Sequence, residues 1–510
     1  MLSERAASHT LRRLCQEPLY APVVNLQNDP GVGVFVVGGA VRDVLLGRPI
    51  RDLDFVVTGL PPTQLERTLR RAGKVSLVGK RFGVLIFRPR GAATSLDIAL
   101  PRVEQPSGRG GYRDVAVRSD SKLPIEQDLA RRDFTINAIA FDCASGRLID
   151  PQRGLPDLDS GVVRTIGEPA RRFAEDYSRM MRAIRFAVQL DARLEPHTAQ
   201  TIKRLAFKLN EQDERGRLVS DQLIGRELGR ALHSQAHQTL RLLDQTNLLD
   251  EVLPEVARLK GIEQSAVYHP EGDAFVHTQQ ALERLYAVSD HPSLTESLAV
   301  MLHDIGKAKC VQVRDLSSGT QINVPHPHSF FTSPHYQPSR QRVTNIGHAG
   351  KGARLAASLI KRLALAQFEQ DDEIDFSARD VLHNIEHHLL LNIDAMRPSK
   401  AEPILFYPDG RVRWSLLSLV KADERPGSGR YESALGRVQH LLKQKLDQSA
   451  AQRLADALIS GNDVLDLGEE PGPRVGAVLS AVRDAQLAGT VSSRQAALSL
   501  ARSYLRRVKT

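Results

Sequence analysis

The stretch Gly38–Asp54, GGAVRDVLLGRPIRDLD, joins a Gly-Gly turn to two aspartates, Asp52 and Asp54, at i and i+2. The apolar runs VFVV before it and FVV after it predict strands on both sides. Side chains alternate faces along a strand, so the two carboxylates are expected to point the same way. Neighbouring carboxylates repel unless a cation lies between them, and oxygen ligands of this kind suit Mg²⁺ when substrate phosphates complete its coordination. A glycine turn lets backbone N–H groups come close to phosphate. Asp-x-Asp or Gly-Gly alone is commonplace; together at this spacing they predict a metal–nucleoside triphosphate site.

Outward from this stretch, VFVVGG, DFVVTG, KVSLVG, GVLIFRP and TSLDIAL read as strands and PTQLERTLRRAG as a helix stopped by glycine. EQPSGRGGYRD reads as a mobile loop. An amphipathic helix is expected within the first 30 residues, a mixed α/β region to about residue 160, and an almost wholly helical chain beyond. Pro- and Gly-bearing breaks near 254–262 and 425–430 are candidate boundaries, and the polar stretch 310–345 reads as an irregular insertion. The fold class expected is α+β, a small N-terminal sheet with helices followed by all-helical regions.

With 510 residues the chain is long enough for three or four domains. A hydrophobic fraction of 41% and a charged fraction of 25% are those of a soluble globular protein. The formal net charge of +9 favours a polyanionic partner, and with only 5% aromatics, Lys and Arg contacts to phosphate are the expected mode rather than base stacking. Three scattered cysteines, Cys15, Cys143 and Cys310, imply no disulfide framework. No stretch has the length of a membrane span and the N-terminus lacks a signal-peptide core, so a cytoplasmic location is expected, with no membrane and no obligate protein partner.

Four further motifs follow in order. Asp97, in SLDIAL, is either a plain edge-strand residue or a third carboxylate beside Asp52 and Asp54. In DLARRDFTINAIAFD, Arg131 and Arg132 can bind triphosphate, Asp133 can cap an ensuing helix, and Asn137 can bond a sugar hydroxyl. IDPQRGLPDL is a turn-rich link into the helical half. In FAEDYSRMMRAIRFA, Phe173, Met180, Ile184 and Ala187 fall on one helical face, and Asp176 and Arg179 are neighbours at i and i+3. An Asp acceptor and an Arg donor held rigidly can read the Watson–Crick edge of a nucleobase without a template.

GGAVRD..LG, DLD, RRDFTINA, DP..G..DL and EDYSRMMRAIRFA resemble, in order, the motifs of class II tRNA nucleotidyltransferases (CCA-adding enzymes) and bacterial poly(A) polymerases. The resemblance implies that Asp52 and Asp54 hold catalytic Mg²⁺ and that Gly38, Gly39 and Arg42 lie at the triphosphate. It further implies that Arg131, Arg132, Asp133 and Asn137 bind triphosphate and ribose, and that Asp176 and Arg179 recognise the base of CTP and ATP. The segment Gly108 to Asp114 corresponds to the family's flexible loop. One departure stands out: a Glu-Arg pair of a following helix is replaced here by Gln222 and Leu223, in SDQLIGREL. ISGNDVLDLGEEPGPRVGAVL, residues 459–479, resembles the family's tail, whose PGPRVG turn could offer N–H groups to RNA phosphate. The implied partners are tRNA, CTP and ATP. Poly(A) addition, or addition of only CC or only A, shares the same motifs.

A second constellation lies in FVHTQQAL, LAVMLHDIGKAK, GHAGKGA, IEHHLLL and VKADERPG. Histidines and aspartates in or at the ends of apolar helices need partners, and imidazole with carboxylate suits Ni, Mn, Fe or Zn. These elements resemble the HD phosphohydrolase superfamily. By that resemblance His277, His303, Asp304 and Asp423 are metal ligands, and His348 and His388 bind phosphate or a second metal. The implied organisation is a nucleotidyltransferase head (1–160), a helical base-reading and RNA-binding neck (161–262), an HD-like domain (263–435) and a helical RNA-binding tail (436–510). The HD-like domain would be a phosphatase or 2′,3′-cyclic phosphodiesterase. A reading of a different class makes the protein an RNA-binding metal phosphohydrolase with an inactive transferase half.

Overall fold

The computed structural model describes the chain except residues 51, 79–83, 107–114, 215, 265–271, 391–392, 425–427, 456, 488–489 and 508–510. The segment Gly108 to Asp114 thus lies outside the described residues. The chain forms two compact units, Met1–His388 with Lys421–Arg425, and Leu389–Val420 with Pro426–Thr510.

The first unit begins with a helix, Glu4–Cys15, capped by Ser3, as the amphipathic pattern predicts. A seven-stranded mixed sheet follows. Its strands are β1 (Gly33–Val37), β2 (Asp54–Thr58), β3 (Gly73–Val78), β4 (Val84–Pro89) and β5 (Leu96–Ala99), then, after a separate hairpin of β6 (Arg102–Pro106) and β7 (Val115–Ser119), β8 (Ala140–Asp142) and β9 (Leu148–Ile149). The order across the sheet is β3-β4-β5-β2-β1-β8-β9. The five expected strands and the helix Pro62–Ala72 are all present.

β2 carries an unbroken apolar run, FVV, because both of its faces are covered. Phe55 meets Tyr20 on one face, with ring centroids 5.8 Å apart. Val56 joins Val37, Ile125, Leu129 and Ile166 in a core cluster. β1 pairs antiparallel with β2, Val37 opposite Asp54. β2 pairs parallel with β5, Phe55 opposite Ile98.

α1 (Gly39–Leu45) leaves β1 directly. Three expectations fail in this half. Asp52 precedes β2 rather than sharing it, and only Asp54 begins the strand. Asp133 caps no long apolar helix: the chain there turns through one 3-10 turn, Thr135–Asn137, into β8. FAEDYSRMMRAIRFA is also not a single helix. Pro169–Glu175 ends at Asp176, whose backbone is extended (φ −160°, ψ 104°), and α2 (Ser178–Gln189) starts afresh. Phe173, Met180, Ile184 and Ala187 are all buried, but on two helices.

α2 packs along α3 (Asp221–Gln245). Five more helices carry the second constellation: α4 (Ala274–Val288), α5 (Leu294–Leu302), α6 (His348–Arg362), α7 (Ala378–His387) and α8 (Trp414–Asp423). The stretch 310–345 is not irregular. Gln312–Asp315 sits between Gln321–Asn323 and Gln341–Thr344 in a three-stranded antiparallel sheet, with Val313 and Val343 opposite each other and buried.

The second unit has a core of Ala401, Leu405, Leu417, Ala434 and Val438, and another of Val464, Val478, Val482, Ala497 and Ala501. The PGPRVG segment is not an open turn: a helix starts at Pro473, with proline in its first position. Among the described residues, no helix is long and apolar enough to cross a membrane.

Candidate functional site

A cleft of about 990 Å³ opens in the first unit between the end of β1, the start of β2, α2 and α3. Its described lining includes nine arginines against four carboxylates, Asp54, Asp133, Asp176 and Glu227, so it suits a polyanion. Gly38, Gly39, Arg42, Asp54, Arg131, Arg132, Asp133, Asn137, Asp176 and Arg179 all line it.

Gly38 bridges β1 and α1 with φ +75°, and a Cβ there would stand 3.2 Å from an Arg132 Nη1 and 3.8 Å from Asp54 Oδ2. The turn therefore lies between a carboxylate and a guanidinium, and glycine supplies its positive φ. The β2–β5 register sets Asp97 beside Asp54, on the neighbouring strand. Desolvation at the cleft floor, then Asp52, then Asp97 push the Asp54 carboxyl up to about 6, against the pull of Arg132. Asp52 and Asp54 also line an adjoining pocket of about 470 Å³.

The arginines are held from behind. Fully buried Asp128 accepts from Arg131 Nη2 at 2.7 Å and from Arg132 Nη2 at 3.2 Å. The Nε of Arg132 is buried without a hydrogen-bond partner. Arg42 Nη1 donates to Asn137 Oδ1 (2.8 Å), and Asn137 Nδ2 donates to Asp133 Oδ1 (3.3 Å). Arg182 donates to Asp133 Oδ2 through Nε (2.8 Å) and Nη2 (2.6 Å). Burial, the largest single influence, would raise the Asp133 carboxyl, but Arg182 together with Arg179 and Asn137 outweighs it and holds the group well below the usual range. Asp133 and Asn137 thus form a relay between Arg42 and Arg182.

Asp176 and Arg179 reach the same cleft by another route than an i, i+3 pair on one helix. Asp176 sits in the break before α2 and accepts from Ser178 N at 2.9 Å. Arg179 donates to Glu175 Oε2 at 2.6 Å and to the Arg172 carbonyl at 3.0 Å. Burial leads in raising the Asp176 carboxyl, and the Ser178 hydrogen bond and Arg179 only partly offset it. Gln222 and Leu223, where the family pattern is broken, line this cleft too. One turn on, buried Glu227 accepts from Arg185 Nε at 2.6 Å, and Arg185 lies over the Phe186 ring at 4.1 Å.

Sequence reasoning missed Asp128, Arg182, Arg185, Glu227 and Gln367, the last lining the cleft from beyond α6. Asp128 and Arg182 stand inside quoted motifs, so their signal was at hand. Arg185 and Glu227 also stand inside quoted motifs, but their pairing spans 42 residues and could not be read from either.

The second constellation converges in the same unit. His277 comes from α4, His303 and Asp304 from the end of α5, His348 from the start of α6, His388 from the end of α7 and Asp423 from the end of α8. All six are buried. The candidate ligand atoms of His277, His303 and Asp423 lie within 4.8 Å of one another, as do those of Asp304, His348 and His388. His277 Nε2 is 2.9 Å from Asp423 Oδ1, and His348 Nε2 is 3.3 Å from Asp304 Oδ1.

The tautomers follow from the backbone. His303, His348 and His388 each place Nδ1 2.7 to 2.8 Å from a carbonyl oxygen, of Val300, Asn345 and Ile385. A carbonyl only accepts, so Nδ1 carries a proton in each ring. Burial, with His303 nearby, pushes His388 down to about 3 and leaves its Nε2 a bare lone pair, whereas at His303 burial is outweighed by Asp304 and Asp423, which hold it up at about 10. Yet His348 Nε2 faces His388 Nε2 at 3.3 Å. His303 Nε2, without hydrogen-bond geometry to either, lies 3.2 Å from Asp304 Oδ2 and 3.3 Å from Asp423 Oδ1. The bare Nε2 of His388 facing a second imidazole nitrogen, and the two carboxylates crowding His303, fit positive charge among them, a cation or the His303 proton. Lys307 Nζ, 2.6 Å from Asp304 Oδ2 and 2.5 Å from Gln264 Oε1, was not anticipated.

The model of the Poly A polymerase head domain family matches residues 34–164. A multifunctional CCA protein of Xanthomonas campestris is 33% identical over 472 residues, 91% of this chain and all of that one. The chain belongs to the family of the multifunctional CCA proteins, the class II CCA-adding enzymes. A multifunctional CCA protein of Xylella fastidiosa is 39% identical over 277 residues, 54% of this chain and 62% of that one. Among solved structures, the CCA-adding enzyme of Bacillus stearothermophilus in complex with CTP is 22% identical, with a TM-score of 0.47 over 97% of this chain and 98% of that one.

Proposed function

We propose that the protein is a template-independent nucleotidyltransferase that adds C, C and A to the 3′ end of tRNA from CTP and ATP, in the cytoplasm. The observation that carries this reading is the meeting of Asp54, raised to about 6 beside Asp52 and Asp97, with an arginine-lined cleft. A carboxyl raised by burial and by two neighbouring carboxylates fits a bound divalent cation. Mg²⁺ held by Asp52 and Asp54 would help ionise the attacking RNA hydroxyl and neutralise charge on the leaving pyrophosphate.

The chain's own groups do the rest. Gly38 and Gly39 let the backbone approach the triphosphate. Arg42, Arg131 and Arg132, stiffened by Asn137 and Asp128, hold it for in-line attack by the RNA 3′-hydroxyl on the α-phosphorus. Asp133 keeps Arg42 and Arg182 in register. Asp176 and Arg179 present an acceptor and a donor to the base edge, which selects C or A. The assay offers transcripts ending before CCA, at C and at CC to CTP and ATP separately. The first two should gain C and the third A. Runs of A on unrelated RNA would mean a poly(A) polymerase, gain of only C or only A a partial enzyme. No addition in Mg²⁺ would overturn the reading.

A second activity is favoured by the facing Nε2 atoms of His348 and His388. We propose that residues 263–435 act as an HD-type phosphohydrolase, with the head at 1–160, the neck at 161–262 and an RNA-binding tail at 436–510. His277, His303, Asp304 and Asp423 would hold a transition metal (Ni, Mn, Fe or Zn), with His348 and His388 holding a second ion or the phosphate. The metal would supply an activated water for attack on a phosphomonoester or a 2′,3′-cyclic phosphate. Lys307 keeps the Asp304 carboxylate turned inward. Hydrolysis of these substrates with each metal in turn tests this; inertness with all four would end it.

A further inference from the structure

The chain that follows α6 does not stay with the histidine cluster. The 3-10 segment Leu365–Gln370 packs on α3, the helix that lines the transferase cleft. Two glycines of α3 make this possible. A Cβ on Gly225 would lie 1.8 Å from the Leu363 carbonyl oxygen, and one on Gly229 would lie 2.2 Å from the Phe368 ring. No side chain fits at either place, so the segment rests against bare helix backbone. Gln367, between Leu363 and Phe368 in contact terms, is thereby carried into the wall of the 990 Å³ cleft. Four to seven residues on, Asp371, Glu373 and Ile374 border the adjoining pocket at Asp52 and Asp54.

Gln367 has a second peculiarity. Its Nε2 is buried and has no hydrogen-bond partner. An orphaned donor is costly to leave unmade, so in folded proteins such a group is usually paired, by ligand if not by protein. In the cleft lining donors outnumber acceptors, nine arginines against four carboxylates, and each carboxylate other than Asp54 is engaged by a neighbouring donor. A nucleotide brings acceptors in plenty: base carbonyls and ring nitrogens, ribose oxygens and phosphate oxygens.

We propose that Gln367 is a substrate-contacting residue of the transferase: its half-exposed side chain lines the cleft, and its amide, held by no hydrogen bond from Nε2, turns to donate to an acceptor atom of the nucleotide there. The segment Leu363–Ile374 is then a wall of the transferase cleft, although in sequence it lies between two histidine-bearing helices. This rests on the transferase reading above and adds to it a specificity contact from outside the head and neck.

The test compares the full-length chain with Gln367→Met, which keeps the length and removes the donor, and Gln367→Glu, which replaces it with a carboxylate. Steady-state addition is measured by varying CTP, ATP and each transcript in turn, with melting curves taken alongside. One lost hydrogen bond corresponds to about a 2- to 13-fold rise in KM with kcat held. The glutamate variant should show the larger rise, because it sets a negative charge near phosphates. A rise confined to CTP or ATP assigns the contact to the incoming nucleotide, and one confined to the transcript assigns it to the RNA end. KM values within twofold of the parent for every substrate overturn the proposal. So does a lowered melting temperature with unchanged KM, since Gln367 would then be structural. The transferase reading fails separately, if the parent chain itself adds no nucleotide.

Discussion

The arginine-lined cleft and the histidine cluster both gather carboxylates, but they hold them differently. Asp52, Asp54 and Asp97 sit at or beside strand ends and are open to solvent, whereas Asp304 and Asp423 are buried with four imidazoles. The candidate ligands of the cluster crowd within 4.8 Å in two triads; no such triad of the three aspartates occurs among the described residues. The first arrangement leaves most of a cation's coordination to substrate and water, which suits Mg²⁺ arriving with a triphosphate. The second is a cage that the fold completes, which suits a resident transition metal. The contrast makes the two sites separable by mutation.

The largest effects should divide cleanly. Asp54→Ala is expected to lower nucleotide addition by about 10²–10³-fold or more, the scale of losing a charge-stabilising group, while hydrolysis at the histidine cluster persists. Asp304→Asn should do the reverse, leaving addition within about threefold. Parallel assays of both activities on each variant check this. Loss of both activities in either protein, with folding intact, would mean one coupled site.

Metal should also be felt in stability at one site more than the other. A resident ion stabilises by about 2.7 kcal/mol at a hundred times its Kd, and His303→Ala should abolish that gain. Melting curves with Ni²⁺, Mn²⁺ or Zn²⁺, before and after chelation, measure it. An equal rise in the variant would show that the ion binds elsewhere.

Arg182 offers a test inside the cleft. Its removal strands the buried Asp133 carboxylate, and breaking a buried pair costs about 3–5 kcal/mol. Arg182→Leu should therefore melt lower, and Asp133→Asn in the same chain should recover part of the loss. A double-mutant cycle in urea quantifies the coupling. Independent effects would remove the relay from Arg42 to Arg182.

The sequence was most legible where chemistry and chain run together. Gly38, Asp54, Arg131 and Arg132 could be placed because strand alternation and turn residues fix local geometry. The histidines of the cluster could be singled out because polar residues ending apolar helices are conspicuous. The break at Asp176 left no trace, since no glycine or proline marks it and both flanking helices keep an apolar period. The small sheet within 310–345 escaped because its strands are only three or four residues long and each buries at most one valine. Gln367 was invisible for a different reason: its place in the cleft depends on Gly225 and Gly229, more than 130 residues earlier, whose meaning is steric and appears only when two segments meet.

The smallest expected effect probes the open site by its electrostatics. In the metal-free protein the Asp54 carboxyl stands at about 6, above the roughly 3.9 of an unfolded aspartate. Its ionisation is therefore harder in the folded state, and folding is weakened as pH rises through about 6. Asp54→Asn removes that penalty. Without metal the variant should melt about 1–3 °C higher than the parent at pH 8, a gain kept small because Asp54 is exposed, and should match it below about pH 4. Added Mg²⁺ should reverse the order at pH 8, because the cation turns the repulsion among Asp52, Asp54 and Asp97 into ligation. A variant no more stable at pH 8 without metal would mean that the aspartates do not crowd one another, and that the open site has no electrostatic need of a cation before substrate arrives.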